Sequence, residues 1–105
     1  MSTDLPPSLV ISERDFLAMV VELAGWMGWK TYHPWLSVHS SSGYPDLTLL
    51  RGPRLLVAEV KREGKMATAK QREWLDAFAA AGVETRVWYP SDFDAIAATL
   101  AKEGR

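Results

Sequence analysis

The stretch Leu47-Thr48-Leu49-Leu50-Arg51-Gly52-Pro53-Arg54-Leu55-Leu56-Val57-Ala58-Glu59-Val60-Lys61 sets two apolar runs on either side of a four-residue break. Glycine takes a positive φ at little cost, so Gly52 ahead of Pro53 fits a type II′ turn and the two runs become an antiparallel hairpin. With residues 51 to 54 as the turn, Leu50 faces Leu55. Counting outward pairs Leu49 with Leu56, Thr48 with Val57, Leu47 with Ala58, and Asp46 with Glu59. Alternation puts Leu47, Leu49, Leu56, Ala58 and Val60 on one face, suited to packing under a helix. The other face holds Leu50, Leu55 and Val57 near the turn and gathers Asp46, Glu59 and Lys61 at the far end. Two carboxylates directly opposite one another, with β-carbons roughly 5 Å apart, destabilise a sheet unless something compensates them.

Working outward, Ser12-Glu13-Arg14-Asp15 has the form of a capping box with Asp in its fourth place, and apolar residues recur through position 27, predicting a helix over 12–27. A strand rich in Tyr, Trp and Val follows around Lys30 to Val38, with Pro34 marking an edge or bulge. The run Ser40 to Gly43 reads as a loop. Thr68-Ala69-Lys70-Gln71 is a second capping box. It opens a helix to about Ala81, with Gly82 as its stop and Gln71, Trp74, Leu75 and Phe78 as its inner stripe. Val83 to Tyr89 reads as a strand, and Ser91-Asp92-Phe93-Asp94 as the cap of a last helix to about Lys102. The predicted class is α/β (α+β): one small domain over residues 9–105 in the order αβββαβα, a mixed central sheet flanked by helices, behind a flexible arm at residues 1–8.

Composition fits this. The 105 residues are 48% hydrophobic and 24% charged, a balance that favours a packed core over disorder. The absence of cysteine excludes disulfides, thiolate metal sites and a catalytic thiol. No apolar run approaches a membrane span and the start of the chain lacks a signal peptide's pattern, so a cytoplasmic setting is expected. Twelve bases against thirteen acids give a net charge of -1, which argues against a polybasic coat on nucleic acid. The average conceals a contrast, because residues 51–72 hold seven bases and two acids, a local +5.

The far end of the hairpin carries the chemistry. Two opposed carboxylates offer hard oxygens to Mg²⁺ or Mn²⁺, and Lys61, two residues beyond Glu59, projects from the same face toward a phosphate or an attacking water. The plainer alternative is a solvated salt-bridge cluster on an exposed sheet face. Glu13 shares helical spacing with Leu17, Val20 and Ala24, which puts an acid on a stripe facing the sheet; helix-dipole stabilisation in a first turn would also account for it. Gln71 lies on a buried stripe and is also the third residue of a capping box.

Taken together, Gly43-Tyr44-Pro45-Asp46, Glu59-Val60-Lys61 and Gln71, behind a helix bearing Glu13, resemble the PD-(D/E)xK nucleases, and more narrowly the VRR-NUC family of virus-type replication-repair nucleases. The resemblance implies a restriction-endonuclease-like domain and a Mg²⁺- or Mn²⁺-dependent deoxyribonuclease. It implies Asp46, Glu59 and the Val60 backbone carbonyl as metal ligands, with Glu13 joining directly or through water. Lys61 would be the catalytic lysine, and Gln71 would position it or the water. Short members of the family further imply a phage-encoded homodimer acting on branched or structured DNA in replication, recombination or repair.

Arg62, Lys65, Lys70 and Arg72 lie just beyond the catalytic strand and are the expected phosphate contacts. Of the five tryptophans, Trp74 is expected in the core, whereas Trp29 or Trp35 is a candidate exposed platform for dimerisation or base stacking. His33 and His39 lack partners at metal-ligand spacing and are expected at the surface. The rival readings are a catalytically silent DNA-binding module on the same fold and a small protein-interaction domain.

Overall fold

A computed structural model describes residues 11–34 and 42–103. Its elements are helix α1 (Glu13–Trp26), strands β1 (Lys30–Tyr32), β2 (Leu47–Arg51) and β3 (Arg54–Val60), helix α2 (Ala69–Ala80), strand β4 (Glu84–Trp88), a 3-10 turn (Pro90–Asp92) and helix α3 (Phe93–Ala101). The sheet runs β1-β2-β3-β4, antiparallel across its first two junctions and parallel between β3 and β4, so it is mixed. The hairpin register is the one the sequence predicts from Leu47↔Ala58 to Leu50↔Leu55, and Gly52 takes φ +60° in the turn.

The starts of α1 and α2 and the end of α2 have local causes. Ser12 accepts from the Asp15 N–H, and Thr68 accepts from the Gln71 N–H, so each helix start has one of its free donors satisfied by the preceding hydroxyl. Gly82, at φ +87°, turns the chain out of α2. The last helix departs from expectation. Pro90 begins a 3-10 turn, Asp92 accepts from the Tyr89 N–H at 3.0 Å, and α3 starts only at Phe93; Ser91 is not its cap, and its N–H goes to Glu63.

Phe16, Val20 and Ala24 of α1 and Ile96 and Leu100 of α3 form one core with Leu47, Leu49, Leu56, Ala58 and Val60. Helix α2 lies against β3 and β4, and Leu75 is its buried residue. Its Gln71 reaches Glu59, which alternates onto the opposite face from Leu56 and Ala58, so α2 covers the second face of the sheet. Three layers result. On that second face, near the hairpin turn, Leu50 on β2 is exposed, as is Tyr32 on β1.

At the turn end of the hairpin, Arg51 donates to the carbonyls of Met27, Leu100 and Lys102, and Arg54 to those of Thr99 and Lys102. Both guanidiniums also lie over the Trp29 ring, and Arg54 pairs with Glu84 at 2.8 Å. Two of the seven bases in the basic segment are therefore committed to helix C-termini, where carbonyls lack intrahelical donors. Trp29 is buried with its Nε1 donating to Leu100 O at 3.0 Å, which removes it as an exposed platform. Strand β1 ends at Tyr32; the arm at 1–8, the predicted strand beyond Pro34, Trp35, His39 and the serines at 40 and 41 lie outside the described residues.

Candidate active site

The site forms where the apolar alternation of β3 ends. Val57, Glu59 and Lys61 project toward α2, and all three are buried, Glu59 to 1% and Lys61 to 5% exposure. A solvated salt-bridge cluster is thereby excluded. An acid and a base have been carried under a helix, where an uncompensated charge is costly.

Glu59 is held from two sides. Its Oε2 accepts from Gln71 Nε2 at 2.7 Å and lies 3.9 Å from Lys61 Nζ. Its Oε1 is buried and has no hydrogen-bond donor among the described residues. Burial first, and then the neighbouring Asp46 carboxylate, push the Glu59 carboxyl up to about 9, against a smaller opposing pull from Lys61. Asp46 thus stands close enough to Glu59 to disfavour its ionised form.

Asp46 stands one residue before β2. Its Oδ2 accepts from Val60 N at 3.0 Å, which fixes the carboxylate across from the end of β3. A divalent cation suits this donor set. Two adjacent carboxylates, one with a buried oxygen lacking any donor, are what a hard cation neutralises, and Mg²⁺ takes only one or two protein carboxylates while keeping water and phosphate as further ligands. Among the described residues no three His, Cys, Asp or Glu side chains cluster closely enough to hold a metal ion, so Glu13 does not stand with Asp46 and Glu59 as a third close ligand.

Gln71 performs both roles its position allowed. Its Oε1 accepts from Thr68 N at 2.8 Å, completing the capping box, while Nε2 reaches Glu59. Because the backbone N–H can only donate, it fixes which end of the amide faces the carboxylate. Glu13 is farther out. Its Oε2 accepts from Arg62 N at 3.4 Å, and it lines, with Leu17, Val21, His33, Asp46 and Val60, a cleft of about 1080 Å³ beside the carboxylates. The structure brings the buried Glu59 and Lys61 together with the half-buried Asp46 and Gln71 and leaves Glu13 on the wall of the adjoining cleft.

Lys61 N donates to Trp88 O at 2.9 Å, extending the β3–β4 pairing by one residue and steadying the lysine. Two residues on, Glu63 accepts from Ser91 N at 2.6 Å and pins the following turn to the 3-10 segment. Sequence reasoning missed this anchor, because nothing local links positions 63 and 91. Arg62, Lys65, Lys70 and Arg72 are all exposed and none forms an ion pair among the described residues. The four expected phosphate contacts are free to meet a polyanion. Tyr44 packs edge-on to Trp74 at 4.9 Å and to Phe78 at 6.0 Å, placing an aromatic brace between the turn before Asp46 and α2.

Among solved structures, the chain is similar to the Holliday junction resolvase Hjc of Archaeoglobus fulgidus, at 28% identity over 71% of this chain and 61% of that chain, with a TM-score of 0.48. No curated protein matches the sequence. The VRR-NUC domain matches residues 30–91, a span that holds Asp46, Glu59, Lys61 and Gln71 and leaves out Glu13. That span is more than half of the chain, so the chain belongs to the VRR-NUC family.

Proposed function

We propose that this chain is a divalent-metal-dependent deoxyribonuclease that cuts phosphodiester bonds in branched or structured DNA. One observation carries the reading: a glutamate and a lysine buried together beside Asp46, with one glutamate oxygen left without a donor. Burying charge in this way is costly for a fold and useful for hydrolysing a phosphodiester. Family membership supports the same reaction class, and the resemblance to short VRR-NUC members supports a homodimer in viral replication, recombination or repair.

Asp46, Glu59 and the Val60 carbonyl would hold Mg²⁺ or Mn²⁺, with Glu13, on the cleft wall, contributing through water. A cation held there would supply Lewis-acid chemistry, polarising a phosphate oxygen and lowering the pKa of a water. Lys61 supplies a positive charge in a dry position, where it is worth far more to a developing oxyanion than it would be in water. Gln71 keeps Glu59 aimed by donating to one oxygen and leaving the other available. Arg62, Lys65, Lys70 and Arg72 take neighbouring phosphates and set the register of the strand.

The test is a panel of labelled four-way junction, flap, splayed-arm, duplex and single-stranded DNA, with RNA counterparts, in Mg²⁺, Mn²⁺ or EDTA. Cleavage of branched DNA is expected in either metal. It is lost in EDTA, in Asp46→Asn and in Lys61→Ala, with circular dichroism unchanged. Full activity in EDTA or in Lys61→Ala would remove the mechanism. Tight binding of junctions by the wild type without any cutting would instead support the silent DNA-binding module.

A further inference from the structure

We propose that Gly43 is a positioning residue: it lets the turn carrying Asp46 seat on the first turn of α2, and that seating holds the Gln71 amide on Glu59. The proposal rests on the reading of Asp46, Glu59 and Gln71 as one site. Gly43 has φ +83°, and a Cβ built there would lie 2.6 Å from Lys70 C, 2.7 Å from Lys70 O and 2.8 Å from Gln71 N. All three are backbone atoms of a helix and cannot rotate aside.

The Asp46 turn has little room to retreat either. Pro45 is fully buried, and Asp46 is tied to Val60 N at 3.0 Å. A side chain at position 43 must therefore displace the start of α2. Restoring ordinary van der Waals contact takes roughly 0.8 Å, enough to stretch the Gln71 bond to Glu59 from 2.7 Å to the limit of a hydrogen bond. Gln71 sits in the peptide that Gly43 touches, so displacement and loss of the donor are one event.

Gly82 provides the control. It lies at the other end of α2 with nearly the same φ, +87°, and its added Cβ would meet nothing within 4 Å. Gly82→Ala imposes the backbone strain without the collision. The experiment compares wild type, Gly43→Ala, Gly82→Ala, Gln71→Ala and the Gly43→Ala/Gln71→Ala double variant by kcat and KM on the substrate cut best. Amide hydrogen exchange at Thr68, Gln71 and Arg72 is measured in parallel.

Gly43→Ala is expected to lose ~10- to 100-fold in kcat with little change in KM, and to exchange at least ~10-fold faster at those amides. Gly82→Ala is expected to keep kcat within about threefold and to leave the three amides unchanged. In the Gln71→Ala background, Gly43→Ala should cost no more than about a further threefold, because the two changes remove the same interaction. A kcat for Gly43→Ala equal to that of Gly82→Ala, or losses that multiply, would overturn the proposal. If the wild type cuts no nucleic acid, the nuclease reading falls, and the exchange rates alone decide the role of Gly43. If Gly43→Ala does not fold, a glycine inserted after Ala67 gives α2 slack to retreat. That variant is expected to fold with the three amides unprotected, and wild-type protection there would overturn the proposal.

Discussion

Replacing Glu59 by Gln is expected to stabilise the metal-free protein while abolishing its chemistry. Glu59 is 1% exposed and its carboxyl is raised from 4.5 to about 9, chiefly by burial and then by Asp46. The folded value lies above the unfolded one, so between those pH values the folded chain holds a proton that the unfolded chain has released. The stability this group contributes is fully present below pH 4.5 and is lost as pH rises toward 9, with a slope of up to ~1.4 kcal/mol per pH unit. At pH 7 the accumulated cost is up to about 3 kcal/mol. Glutamine keeps the shape and an oxygen to accept from Gln71, and it has no proton to lose.

Urea unfolding in EDTA at pH 5, 6, 7 and 8 measures the difference. Glu59→Gln and wild type should be similar at pH 5 and diverge by up to about 3 kcal/mol at pH 7, with the variant the more stable. Added Mn²⁺ should then raise the wild type's midpoint and leave the variant's unchanged. A difference that is flat with pH, or a variant less stable at pH 8, would refute the argument that the two carboxylates repel in a buried site.

Other consequences follow from the same geometry. Single alanine substitutions at Arg62, Lys65, Lys70 and Arg72 should each reduce the salt dependence of DNA binding by about one phosphate contact, without moving the unfolding midpoint. Arg51→Ala should do the reverse: it takes away the donor to the Met27 carbonyl and one of the two donors to the Leu100 carbonyl, and should cost about 2 kcal/mol in denaturant unfolding with an unchanged salt slope. Thr68→Ala removes the cap of α2 and should cost ~1 kcal/mol, yet spare cleavage, because the Thr68 N–H that orients Gln71 is backbone. Phe16→Ala, in the α1 core and fully buried, should cost ~3–5 kcal/mol by thermal unfolding.

What the sequence disclosed and what it concealed divide by range. The hairpin register was readable because a two-residue period and a Gly52-Pro53 turn are both local, and a slip by one residue would have inverted every side chain. The same holds for the two hydroxyl caps, each set by residues three apart. The dual role of Gln71 was also open to view, since one stripe and one capping box intersect there. The burial of Glu59 and Lys61 was not, because periodicity shows which face a residue is on and not which helix covers that face. Trp29 was misplaced and the contacts of the two turn arginines went unread for a related reason: their partners, Leu100 and the carbonyls around it, lie far along the chain, where charge counting has no reach. Pro90 displaced the start of the last helix by setting up its own turn, a conflict between two legible signals that packing resolved.

The arginine contacts at the hairpin turn also impose an order on synthesis. The hairpin closes over four residues and can form as soon as it leaves the ribosome, yet Arg51 waits for an acceptor 49 positions later, at Leu100. Until that segment emerges, the Arg54 guanidinium and the indole of Trp29 stand without their backbone partners, Arg51 has only the Met27 carbonyl, and the core face of the sheet lacks α3. The hairpin that brings Asp46 and Glu59 together is therefore assembled early and locked late. A nascent chain would hold its two opposed carboxylates on an unfastened scaffold for the time taken to translate the last helix, a window in which a chaperone can act and a nuclease cannot.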